Sequence, residues 1–231
     1  AVVALPTGTG KTAVLQLTPF LWSTGRVLVL TPSRLVRDQI VAGFKQLQLL
    51  KDLGVLPSDA GLPKVASIAN RVTSIEVWES YREFDVVVTT PMSASPSIEA
   101  IVTPPTDLFN LVLVDEAHHS PAVSYSTLLG CFPDARKAFF TATPFRRDKK
   151  VVPGKLVYNY PLKAAIEDGT YGKVEYLPCE PDSGQNNDVA IAKQAEAVFT
   201  EDAAAGLDHR MMVGTDSVAR AKDLFKIYEQ E

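Results

Sequence analysis

Leu5-Pro6-Thr7-Gly8-Thr9-Gly10-Lys11-Thr12 decides how this chain is read. It follows a short apolar run, Ala1–Leu5, that reads as a buried strand, and it opens a helical stretch from Lys11. Strand, glycine-rich turn and helix in that order form a cradle for phosphate. Gly8 and Gly10 let the backbone curl so that successive N–H groups point inward. The helix N-terminus adds the positive end of its dipole. Lys11 has the length to reach the outer phosphates of a triphosphate, and the Thr12 hydroxyl stands where Mg2+ is held. One position departs from the general pattern of such loops: Leu5 stands where the opening glycine is expected.

Outward from this loop the alternation of apolar run, turn and amphipathic stretch repeats. Arg26–Leu30 reads as a strand. Ser33 reads as the N-cap of a helix to about Gln48, with Leu35, Val36, Ile40, Phe44 and Leu47 at helical spacing. Lys64–Ala69, Phe84–Thr89, Leu111–Val114 and Lys137–Thr141 read as further strands. Their nearly unbroken apolar runs suit strands covered on both faces, and helices between them imply a doubly wound α/β sheet. Composition changes after Pro144, where FRRDKK is basic and 151–161 carries Pro, Gly and Tyr without a helical period. The expected organisation is a first domain over 1–150, a linker over 151–165 and the opening of a second α/β unit over 166–231. In that unit Val174–Cys179 and Arg210–Val213 read as strands, Val189–Ala205 and Asp216–Glu231 as helices. A chain that starts inside a strand is expected to be a piece of a longer protein.

With 231 residues, 46% apolar and 22% charged, and a net charge of −4, the composition is that of a globular protein. It argues against disordered, collagen-like and membrane classes, and against a strongly basic nucleic-acid coat, though not against local basic patches. No apolar run approaches the ~20 residues that span a bilayer, and no signal peptide is visible. A cytoplasmic setting is expected, with Cys131 and Cys179 as reduced thiols, too few for a disulfide framework.

Leu111-Val112-Leu113-Val114-Asp115-Glu116 sets two carboxylates at the end of a buried strand. Near a metal and phosphates such a pair makes chemical sense only if the roles differ, with Asp115 toward Mg2+ and Glu116 toward the attacking water. His118 and His119 have no Cys or His partner at zinc-ligand spacing.

Asp115-Glu116-Ala117-His118 is a DEAH box. With Pro6–Thr12 and Thr141-Ala142-Thr143-Pro144 it closely resembles the superfamily-two helicases and translocases. Thr31-Pro32-Ser33-Arg34 is similar to their motif Ia, Thr89-Thr90-Pro91 to motif Ib and Arg210–Asp223 to motif IV. His119 and the run TATPFRRD look most like the bacterial branch that contains restriction-enzyme motor subunits and repair helicases. The resemblance implies a RecA-like P-loop NTPase fold followed by part of a second RecA-like domain. It implies that Pro6, Thr7, Gly8, Thr9, Gly10, Lys11 and Thr12 bind ATP, that Thr12 and Asp115 hold Mg2+, and that Glu116 activates water. His118, Thr141 and Thr143 would couple that site to a nucleic-acid track. The track would be touched by Pro32, Ser33, Arg34, Thr90 and Pro91.

The implied activity is an ATP-dependent helicase or translocase acting on nucleic acid, DNA rather than RNA. The alternative is a nucleotide-gated nucleic-acid-binding module without motor action. The family's adenine-reading Gln and its later motifs, with their arginine, are not in the sequence, so weak hydrolysis by this stretch alone is expected. Arg34 and Arg37 lie one helical turn apart and could both add charge to the track. The basic run Arg146, Arg147, Lys149 and Lys150 leaves phosphate contact, pairing with the second domain and a solvated linker all open. No aromatic interleaving offers a base-stacking platform, so backbone tracking with strong salt dependence is expected.

Overall fold

The structure, a computed structural model, describes residues 1–22, 25–143, 152–172, 174–180, 186–208 and 210–229. They fall into two compact units, Ala1–Gly172 and Lys173–Glu231.

In the first unit seven strands form one sheet: β1 (Val2–Ala4), β2 (Val27–Leu30), β3 (Val65–Ile68), β4 (Val86–Thr89), β5 (Leu111–Val114), β6 (Arg136–Thr141) and β7 (Leu156–Asn159). Every pairing is parallel and the order across the sheet is β3-β4-β2-β5-β6-β1-β7. The fold is therefore α/β and RecA-like. The helices are α1 (Lys11–Trp22), α2 (Arg34–Gln46), α3 (Gln48–Asp52), α4 (Ile75–Ser80), α5 (Pro91–Ala94), α6 (Val123–Gly130) and α7 (Leu162–Glu167).

Alternation along the strands feeds two core layers, one on each face of the sheet. Leu28, Leu30, Val112 and Val114 join Trp78, Phe109 and Phe132 in one layer. Val27, Val29, Leu111 and Leu113 join Leu15, Ile40 and Phe44 of α1 and α2 in the other. β2, β4 and β5 are buried at every residue, which is why the sequence shows them as unbroken apolar runs. Ser33 caps α2 as expected, its Oγ accepting the Val36 N–H at 3.3 Å. Leu35, counted with the apolar stripe of that helix, is instead 70% exposed.

The span read as a linker carries β7, which lies parallel to β1 at the sheet edge. All four of its residues are exposed, so it lacks the apolar run that marks the inner strands. The topology also sets the site. β5, β6 and β1 are neighbours, in a register that pairs Val114 with Phe139 and Ala4 with Thr141. The segments that leave their C-terminal ends therefore emerge side by side, where ligands of open α/β sheets gather.

The second unit contains α8 (Asn187–Ala204) and α9 (Val218–Tyr228), close to the two helices expected there. Asn186 and Ser217 cap them, and Arg220 of α9 pairs with Asp188 of α8 at 2.6 Å. The strands expected at Val174–Cys179 and Arg210–Val213 are not formed. A strand exists through its ladder, and here Tyr176 and Met212 stand 85% and 95% exposed instead of stacked against a neighbour. Among the described residues no helix is long and apolar enough to cross a membrane.

Candidate nucleotide site

Between β1 and α1 the chain makes a tight knuckle. The Thr9 hydroxyl and amide both donate to the Pro6 carbonyl, at 2.8 and 3.3 Å. Gly8 and Gly10 hold φ of 85° and 92°, where an L side chain is strained. A Cβ built at either meets no neighbour, so the demand for glycine is conformational rather than steric. The first i→i−4 bond of α1 runs from Val14 N–H to Gly10 O at 3.2 Å. The amides of Lys11, Thr12 and Ala13 lie ahead of it and point off the helix N-terminus, as an anion-binding end requires. Leu5, the departure from the loop pattern, is buried and its N–H donates to Thr141 O at 3.0 Å. It fastens the loop to β6 instead of forming part of the cradle.

Lys11 spans the gap to the end of β5. Its Nζ contacts Glu116 Oε1 and lies 3.4 Å from Asp115 Oδ1. Asp115 is buried, with its N–H bonded to Leu30 O at 2.9 Å. Burial pushes its carboxyl above the ordinary range, the Lys11 charge opposes that, and Glu116 adds to it. Asp115 Oδ1 is buried without a hydrogen-bond partner, a lone-pair donor suited to a cation or its hydration shell. Thr12 is exposed on the first turn of α1. These residues fit Mg2+ held through one carboxylate and a phosphate. Among the described residues no cluster of three or more His, Cys, Asp or Glu side chains offers an all-protein cage.

Glu116 has φ 48° and ψ 53°, in the left-handed region that non-glycine residues seldom adopt. That strained turn aims its carboxylate back at Lys11 and across at His118, whose Nδ1 is 3.3 Å from Glu116 Oε2. The same Nδ1 is 3.4 Å from Thr141 Oγ1, which accepts the Thr143 N–H at 3.1 Å. Lys11, Glu116, His118, Thr141 and Thr143 thus form one continuous polar chain across β1, β5 and β6.

Residues 1–146 match the family model of the type III restriction enzyme, res subunit. The chain belongs to that family. Its first unit is a helicase-family domain. Among solved structures, the UvsW helicase from bacteriophage T4 matches with 15% identity and a TM-score of 0.43, over 62% of this chain and 46% of that one. The chain thus spans less than half of that helicase. No curated protein sequence matches it.

In this res-subunit-family chain the residues expected on a nucleic-acid track divide into two kinds. Ser33 and Arg34 are exposed at the start of α2, and Pro32 is half-buried beside them. Thr90 and Pro91 are buried, and the Thr90 hydroxyl lies 3.4 Å from Ser93 Oγ. Both residues are buried as a whole, and the exposed residue beside them is Met92, at 57%. Arg37, expected beside Arg34 on a charged face, is 7% exposed and turned inward. Its Nη1 donates to Ile68 O at 3.3 Å and its Nε to Asp38 at 2.9 Å. The Thr89 hydroxyl also reaches Ile68 O, at 3.5 Å, so Arg37 ties α2 to the ends of β3 and β4. Pro144 and the basic run Arg146, Arg147, Lys149 and Lys150 lie outside the described residues.

Sequence reading overlooked Tyr125 of α6. It is buried, and its hydroxyl ionises well above the ordinary range because of burial and the charges of Asp115 and Glu116. The only signal available was an aromatic residue a short step beyond the DEAH box.

Proposed function

We propose that this chain binds ATP with Mg2+ and forms the nucleotide-driven part of a motor that moves on nucleic acid, DNA in preference to RNA. One observation carries the reading: Lys11 from the loop and Asp115 and Glu116 from β5 converge on one point in front of an anion-binding helix end. Pro6–Gly10 wrap the phosphates, with Lys11 on their outer oxygens. Thr12 and Asp115 hold Mg2+, which when bound neutralises charge developing on the phosphates. Glu116 takes the proton of the attacking water. The contacts from Glu116 through His118 to Thr141 and Thr143 support these residues as the link between nucleotide state and strand grip. Ser33 and Arg34, with Pro32 beside them and the segment of Thr90 and Pro91 supporting them from below the surface, hold the strand through its phosphates.

The first unit is read as the first RecA-like domain and the second as the opening of another. Family membership supports a role in restriction–modification or repair. The test measures binding of a fluorescent ATP analogue to this chain, and DNA-stimulated ATP turnover by the full-length protein. Tight Mg2+-dependent binding that Lys11→Ala abolishes is expected. So is turnover that Glu116→Gln abolishes while binding is kept. A Glu116→Gln protein with unchanged function would favour a nucleotide-gated binding module instead, and no nucleotide binding at all would end both readings.

A further inference from the structure

Four buried side-chain polar atoms have no hydrogen-bond partner among the described residues. Three of them, Asp115 Oδ1, Ser120 Oγ and Tyr125 Oη, belong to a single strand–turn–helix unit; Asp115 Oδ1 has the Lys11 ammonium 3.4 Å away as its ion-pair partner, and the two hydroxyls have no partner among the described residues. Buried polar groups are overwhelmingly paired in folded proteins, so three in one unit call for an explanation. The unit is tightly wound. His119 N–H donates to Glu116 O, Ser120 N–H to Ala117 O, Ala122 N–H to His119 O and Tyr125 N–H to Ala122 O, all at 2.9–3.0 Å. Tyr125 packs in the same apolar cluster as Val114 and Ala117, the residues on either side of the two carboxylates. Asp115, Ser120 and Tyr125 are 7%, 2% and 6% exposed, which keeps bulk solvent from serving them.

We propose that Tyr125 and Ser120 are positioning residues for Asp115, their hydroxyls sharing one buried water with Asp115 Oδ1 and so fixing the orientation in which that carboxylate meets Mg2+. A buried water needs about three polar partners, and these atoms supply that number and chemistry. Groups that orient a metal-holding carboxylate affect metal-dependent affinity about 10–100-fold when removed. The position of Tyr125 suits the role: the charges of both Asp115 and Glu116 act on its hydroxyl. The inference rests on the reading of this site as one for a nucleotide with Mg2+.

The test compares affinity for a fluorescent ATP analogue in Mg2+ and in EDTA, for the full chain and for Tyr125→Phe and Ser120→Ala, with thermal melting alongside. Wild-type protein is expected to bind more tightly in Mg2+. Each variant should lose about tenfold of that Mg2+ advantage while keeping its EDTA affinity, and the double variant should lose no more than the worse single one. Variants that keep the full advantage overturn the inference, including a Tyr125→Phe protein that only melts at a higher temperature. If one variant does not fold, the other removes a hydroxyl of the same set and decides alone. Absent Mg2+-dependent binding by the wild type, the nucleotide reading itself fails, which is a separate result.

Discussion

Replacing Lys11 with Met removes a cation while keeping most of the side-chain length. Its Nζ sits 3.4 Å from Asp115 Oδ1 and against Glu116, with the three side chains 12%, 10% and 28% exposed. At 3.4 Å the gross attraction to Asp115 is about 5 kcal/mol for an effective dielectric of ~20. Regained solvation of the partly open Glu116 and the desolvation that Lys11 no longer suffers offset part of this. Breaking a fully buried pair costs about 3–5 kcal/mol, so roughly 2 kcal/mol is expected here. That corresponds to a fall in Tm of about 4–8 °C for a unit of this size. The loss must depend on pH. The Asp115 carboxyl titrates above its unfolded value, so its buried charge opposes folding at neutral pH, and the opposition fades as pH falls through the raised value. Lys11 holds that value down, and without it the penalty extends further upward in pH. Thermal melting at neutral and mildly acidic pH should therefore show a Lys11→Met deficit that is large at the first and small at the second. An equal deficit at both, or none at neutral pH, would refute the assignment of Lys11 as the counter-ion of Asp115.

Glu116→Gly relieves a left-handed backbone and should raise stability by about 1 kcal/mol in chemical denaturation, whereas Glu116→Gln leaves stability near wild type. Both should lower turnover of the full-length protein at least ~100-fold, since each removes the carboxylate proposed as the base. Gly43→Ala puts a Cβ against the buried Gln16 Nε2, so this substitution should destabilise the protein by about 1–3 kcal/mol, with substantial rescue by Gln16→Ala in urea titrations. Arg34→Ala should weaken DNA binding and lower the slope of log K against log salt by about one, with melting unchanged. Arg37→Ala should instead lower Tm, because it leaves the Ile68 carbonyl with a weaker set of donors.

The parts of this chain that were legible in its sequence are those whose cause is local. A phosphate cradle needs glycine at two left-handed positions and a lysine at a fixed step, so Gly8, Gly10 and Lys11 are recognisable without a fold. β2, β4 and β5 are covered on both faces and show it as unbroken apolar runs. β7 was hidden because an exposed edge strand needs only a neighbour's ladder, not an apolar face. The opposite error at 174–179 and 210–213 has the same root: apolar residues were present, but pairing is a property of two segments. Arg37 and Leu35 exchange the environments their polarity suggests, since the rotation of α2 is set by what Ile40 and Phe44 bury, and a carbonyl at the end of β3 receives the arginine. Tyr125 was invisible for a similar reason, because only the folded chain buries its hydroxyl within reach of the charges on Asp115 and Glu116.

The Lys11 ammonium carries three N–H donors and rests against Glu116, with Asp115 3.4 Å away. An anion arriving at the helix end would meet a cation whose charge is already partly neutralised, so the affinity measured is the new attraction less whatever part of the old one is given up.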